Sequence, residues 1–140
     1  MDNTPEDWHV TRIRVRYDET DQMGVVYHAN YLVYFEVGRT ELMRSAGRPY
    51  SGIEADGLQL VVVEANCAYR APAKYDDEIT VLTQVGAIKA VRLRFDYRIL
   101  GPAGDLLVEG STTLACVDPA GKPRRLPDDL LALLSSAPGA

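Results

Sequence analysis

Histidine, cysteine and tryptophan are scarce in this chain of 140 residues: two, two and one. Cys67 and Cys116 lie in separate apolar stretches with no CxxC, the pattern of reduced core thiols and a cytoplasmic location rather than of a disulfide frame. His9 and His28 form no HxxxH pair and no cluster with cysteine, so no metal site is expected. GxSxG, GxGxxG and P-loop motifs are missing as well. That removes the serine-hydrolase, dinucleotide and nucleoside-triphosphatase readings, and no cofactor is implied. Long apolar runs are also missing. The longest stretch without a charge, Gln22 to Phe35, is 14 residues and contains His28 and Asn30, short of the ~20 apolar residues of a membrane span. The first residues are acidic, which is not the start of a signal peptide. Eleven Gly and eight Pro are too few for a linker or a disordered chain. Positive charge is in deficit: 15 Lys and Arg against 20 Asp and Glu give −5. The basic residues are also scattered, so no nucleic-acid partner is expected.

The chain is nonetheless 46% hydrophobic and long enough to bury a core, so one domain over residues 1–140 is expected. Apolar residues alternate with polar ones in five segments. Ile13, Val15 and Tyr17 alternate with Arg12, Arg14 and Arg16. Leu58 to Arg70 carries Val61, Val63, Ala65, Cys67 and Tyr69 on one face. Glu78 to Gly86 follows, and then Val91, Leu93, Phe95, Tyr97 and Ile99 alternate with charged residues. A short turn at Gly101–Asp105 leads into Leu106 to Val117, and turns this short join antiparallel neighbours. From Asn30 to Ala46 the period becomes helical, with Tyr31, Tyr34, Phe35, Gly38 and Leu42 on one stripe. Gly47 and Pro49 end the helix. Leu32, Val33, Val37 and Met43 make its other side apolar too, so cover is expected on both sides. A second, short helix begins at Leu126–Asp129 and packs Leu130, Leu131 and Leu134. The sum is an α+β layout, an antiparallel sheet of about five strands wrapped around a central helix.

Chemistry concentrates between the first strand and the helix, where Asp18, Glu19, Asp21, Gly24 and His28 share one loop. The first N–H groups of a helix have no internal partner and carry partial positive charge. They can polarise an acyl carbonyl and stabilise its oxyanion. A carboxylate in the preceding loop can then attack that carbonyl or activate water. No strong nucleophile is in view, so a good leaving group such as a thiolate suits this equipment.

The run Asp18-Glu19-Thr20-Asp21-Gln22-Met23-Gly24-Val25-Val26-Tyr27-His28-Ala29-Asn30-Tyr31 resembles the 4-hydroxybenzoyl-CoA thioesterase family of hotdog-fold proteins, in its YbgC-type acyl-CoA thioesterase branch. The helix segment Phe35 to Glu41 resembles the same branch. The resemblance implies a hotdog fold and hydrolysis of an acyl-CoA to the free acid and CoA. Asp21 stands at the catalytic aspartate, as nucleophile or general base. His28 stands where a backbone amide faces the thioester carbonyl. Gly24, Val25, Tyr27 and Tyr31 are read as substrate-binding, and Lys89 stands where the family has a basic residue near the CoA phosphates. Arginines that neighbour it in the family are replaced here by Ala87 and Ile88.

Each residue also has a plainer reading. Asp21 is a common turn residue, His28 could be structural, and the helix tyrosines could serve the core. Asp18 and Glu19 read as solvated turn acids, and Glu64 as a buried or edge glutamate. Alternative functions are acyl-ACP hydrolysis and non-catalytic acyl-CoA binding. The two-sided helix and the resemblance together imply a homodimer or homotetramer, with sheets joined edge to edge and the site at the interface.

Overall fold

The structure, a computed structural model, describes residues 7–47 and 50–139. The acidic first residues and Pro49 lie outside them. Strand β1 (His9–Arg14) is followed by a 3-10 turn (Tyr17–Glu19), the long helix α1 (Asn30–Ser45) and a short helix α2 (Tyr50–Ala55). Strands β2 (Gln59–Tyr69), β3 (Glu78–Ile88), β4 (Arg92–Leu100) and β5 (Leu106–Val117) come next, and helix α3 (Asp128–Ser135) ends the chain. All strand pairs are antiparallel, in the order β1-β3-β4-β5-β2. The sheet therefore has two edges, β1 and β2.

Helix α1 buries the stripe read from its period: Tyr31, Tyr34, Phe35, Gly38 and Leu42, joined by Met43. Phe35 stacks flat on Tyr97 of β4, with ring centroids 4.2 Å apart and planes within 5°. At Gly38 the helix lies directly on β3, because a Cβ there would meet the Thr83 hydroxyl and a Val81 methyl. Glycine is required at that crossing for want of room. Gly47, at φ +93, follows the helix in the left-handed conformation that alanine resists. Helix α3 buries Leu130 and Leu134, and Leu131 is partly buried. The covering of α1 on both sides is not found among the described residues of one chain: Leu32 and Val33 remain 38% and 48% exposed.

Three details depart from the sequence reading. The first strand ends at Arg14, and Tyr17 is 77% exposed instead of facing the core. There the Val15 amide bonds Asp77, and the chain turns at Arg16, whose amide is accepted by the Glu19 carboxylate at 2.8 Å. Helix α2 was not legible, being only six residues around a glycine. The faces of β2 also differ. Residues opposite each other in an antiparallel pair share a face. Leu60 and Val62 pair with Cys116 and Leu114, and Ala65, Cys67 and Tyr69 with Thr112, Gly110 and Val108. The register slips between Val62 and Glu64, so Val63 is an inserted bulge residue that reverses the alternation. Gly86 does the same in β3, between Val85 and Ala87.

Candidate active site

Loop 20–26 closes as a tight hairpin. The Asp21 amide donates to Val25 O at 2.9 Å and the Gly24 amide to Asp21 O at 3.0 Å. Gly24 has φ +78, the left-handed residue such a three-residue turn calls for. The Asp21 carboxylate takes part: its Oδ1 accepts the Met23 amide at 2.8 Å, an Asx turn that holds the side chain. Beyond the turn, Val26 N donates to Ala73 O and Tyr27 N to Glu19 O, both at 2.9 Å. The loop is thus pinned to the β2–β3 connection on one side and to the 3-10 turn on the other.

Glu19 is not the free turn acid expected. Its Oε1 accepts the hydroxyl of Tyr34, a residue 1% exposed on α1, at 3.0 Å. Burial and this carboxylate push the Tyr34 phenol well above the usual range. Asp18, by contrast, is exposed and sits 3.7 Å from the Arg16 guanidinium, a contact of little energetic weight.

Helix α1 starts without the usual furniture. Its N-cap is Ala29, no side chain among the described residues caps the first amides, and no acid lies in the first turn. The Asn30 amide bonds Tyr27 O and the Leu32 amide bonds Ala29 O, whereas those of His28 and Ala29 take no backbone acceptor among the described residues. The positive end of a 16-residue helix is therefore left without a direct cap among the described residues.

A cavity of about 340 Å³ opens at this point, and both Asp21 and His28 line it. Val25, Val26 and Tyr31 form part of its wall, and Tyr69, Arg70, Ala71 and Pro72 close it from the end of β2. The Tyr31 hydroxyl accepts the Ala73 amide at 3.2 Å and the Tyr69 hydroxyl donates to His28 O at 2.9 Å. Arg70 is the cavity's cation, and its guanidinium also holds Glu109 at 2.8 Å, drawing that carboxyl below its usual range. Among the described residues, no group of three His, Cys, Asp or Glu side chains is placed to hold a metal ion.

Of the residues singled out in the sequence, the fold brings Asp21, Val25, His28 and Tyr31 to one cavity. Gly24 shapes the turn that presents Asp21, and Tyr27, half-exposed, lays its ring against His28 at 4.5 Å. Neither lines the cavity. Lys89 is exposed in the β3–β4 turn, its amide bonded to Arg92 O. That is the far end of β3, roughly 30 Å from the cavity along the strand. Sequence reasoning did not place Tyr69, Ala71 and Pro72 here, since only tertiary structure carries them to a loop 40-odd residues upstream. Glu64 is exposed on β2, and the thiols of Cys67 and Cys116 are free and raised in pKa chiefly by burial.

A five-stranded antiparallel sheet around a central helix, with a carboxylate loop feeding the helix start, defines a hotdog-type protein. The chain belongs to the thioesterase-like superfamily, whose family model matches residues 15–134. It is 43% identical over 112 residues to YneP of Bacillus subtilis (strain 168), covering 79% of this chain and 81% of that protein. It is 36% identical over 121 residues to the acyl-CoA thioester hydrolase YbgC of Escherichia coli O6:H1, covering 86% and 90%. Among solved structures, the DHNA-CoA thioesterase from Staphylococcus aureus superposes with a TM-score of 0.89 at 34% identity, covering 91% of this chain and 89% of that one. The hotdog fold and the thioesterase family expected from the loop motif are thereby borne out.

Proposed function

We propose that this protein hydrolyses acyl-CoA thioesters to the free acid and CoA, with Asp21 as nucleophile or general base. The observation that carries the reading is the placement of the Asp21 carboxylate in the same cavity as an uncapped, acid-free helix start. An acyl carbonyl there meets the amides of His28 and Ala29, which stabilise its oxyanion without a charged side chain. Asp21 either attacks the carbonyl carbon, expelling the thiolate and leaving an anhydride for water to cleave, or removes a proton from an attacking water. The apolar wall of Val25, Val26, Tyr31 and Tyr69 supports an acyl pocket. The name of YbgC as an acyl-CoA thioester hydrolase supports CoA as the carrier. Thiol release from a panel of acyl-CoAs and acyl-ACPs tests this. Turnover of acyl-CoAs is expected, and saturable binding without thiol release across the panel would refute it.

The working unit is a homo-oligomer, at least a dimer joined along β2. That edge strand leaves Val61, Val62 and Val63 37%, 48% and 47% exposed, and an apolar open edge is a pairing template. Antiparallel pairing of two β2 strands turns the partner's β3–β4 connection toward the end of the sheet that holds the cavity. That arrangement allows Lys89 of a second copy to serve CoA phosphates, which Lys89 of the same chain is too distant to reach.

A further inference from the structure

We propose that Tyr69 is a positioning residue for the hydrolysis, its hydroxyl fixing and polarising the His28–Ala29 peptide at the start of α1. The inference rests on the reading of that helix start as the oxyanion site. Tyr69 is the last residue of β2, and its hydroxyl donates to the His28 carbonyl oxygen at 2.9 Å across 41 residues of sequence. The accepting oxygen and the Ala29 N–H belong to one peptide plane, whose resonance couples its two ends. A donor at the oxygen therefore makes that N–H a stronger donor in turn. The Ala29 amide has no backbone acceptor among the described residues and no side-chain cap, so the added polarity is directed at whatever occupies the cavity.

The surroundings favour a fixed role. Flanking peptides are held by the backbone, Val26 by Ala73 and Tyr27 by Glu19, whereas the His28 carbonyl is held by a side chain. The Tyr69 ring itself is placed edge-on to Tyr31 at 5.7 Å and to His28 at 6.3 Å. Burial and the neighbouring Cys67 thiol push the phenol up to about 12. The hydroxyl therefore keeps its proton across the range in which a thioesterase is assayed.

Tyr69→Phe keeps the ring and its packing and removes only the donor. Turnover is expected to fall about fivefold to tenfold, the worth of one net hydrogen bond, with KM and melting temperature nearly unchanged. A role as a mere staple between loop and sheet predicts the reverse, a lower melting temperature at wild-type kcat, and that result would overturn the proposal. The second readout is the carbonyl stretch of a ¹³C-labelled acyl-CoA bound to the Asp21→Asn protein. Adding Tyr69→Phe is expected to return that frequency toward its value in water, and 3-fluorotyrosine at position 69, a stronger donor, to move it further away. A stretch indifferent to both changes overturns the proposal even if the Phe variant folds poorly. The two readings separate cleanly. Full turnover by Asp21→Asn refutes the site itself, whereas a disabled Asp21→Asn with a wild-type Tyr69→Phe refutes only the role of Tyr69.

Discussion

His9 illustrates how a single partly buried side chain sets a pH response. It sits on β1 opposite Thr83, and its Nε2 has no hydrogen-bond partner among the described residues. Burial lowers its pKa from the ordinary 6.5, against a weaker opposing pull from Glu41. Unfolded chains take up this proton near 6.5, but the folded protein does so only at lower pH. Between the two values the unfolded state binds more protons, so stability falls as pH drops through that window. Melting temperature is expected to decline from about pH 7 downward, and His9→Gln to flatten that decline. The depressed carboxyls of Glu109 and Asp118 act lower, below their ordinary 4.5 and 3.8, so the histidine contribution can be resolved in thermal melts across about pH 5–8. An unaltered pH profile in His9→Gln would show that the proton is taken up elsewhere. At this same scale the motif residues were legible in the sequence, since Asp21 and Gly24 are tied together by local turn chemistry and His28 follows in the same short run. Tyr69 and Glu19 were not, because their partners, His28 and the Tyr34 hydroxyl, are 41 and 15 residues away.

Between elements, the crossing of α1 over β3 is the tightest constraint. A methyl at Gly38 would collide with Thr83 and Val81. Overpacking of this kind costs about 1–3 kcal/mol, and the ~1 kcal/mol that alanine gains in helix propensity offsets only part of it. Gly38→Ala is therefore expected to lower the melting temperature by several degrees. Thr83→Ala, which also removes a buried hydroxyl without a hydrogen-bond partner among the described residues, should restore part of the loss in the double variant. Additive losses in calorimetry would mean that the clash lies elsewhere. Element type and most boundaries were readable because alternation and helical period are strong over nine to sixteen residues. Faces were not readable past a bulge. Three consecutive valines, Val61 to Val63, give no alternation from which to locate the inserted residue, so the parity of Ala65 to Tyr69 could not be carried over from Leu60. In β3 the signal was present in Gly86, since an interior strand glycine often marks a bulge.

For the molecule as a whole, the open β2 edge and the exposed Leu32 and Val33 of α1 are the surfaces through which the proposed assembly would bear on activity. Tyr69 ends that same edge strand and touches the helix start, so an interface along β2 bears directly on the cavity. Lysines at Val61 and Val63 place charge on the edge, a device natural sheets use against pairing. The double variant is expected to sediment as a 15.4 kDa monomer with turnover reduced at least tenfold. A stable, fully active wild-type monomer in light scattering would remove the interface altogether.

Hydrolysis at this site depends first on Asp21 in the proposed mechanism, and the most direct measurement is steady-state turnover of Asp21→Asn with its melting temperature. The substitution keeps size and the Asx-turn acceptor but removes charge and basicity. A fall in kcat of about 10²–10⁴ is expected, the span of acid–base participation, with KM within a few-fold because the pocket is untouched and with folding intact. Asp18→Asn, altering an exposed neighbour, should match wild type. A folded Asp21→Asn protein that hydrolyses acyl-CoA at the wild-type rate would contradict the mechanism and the location of the active site together.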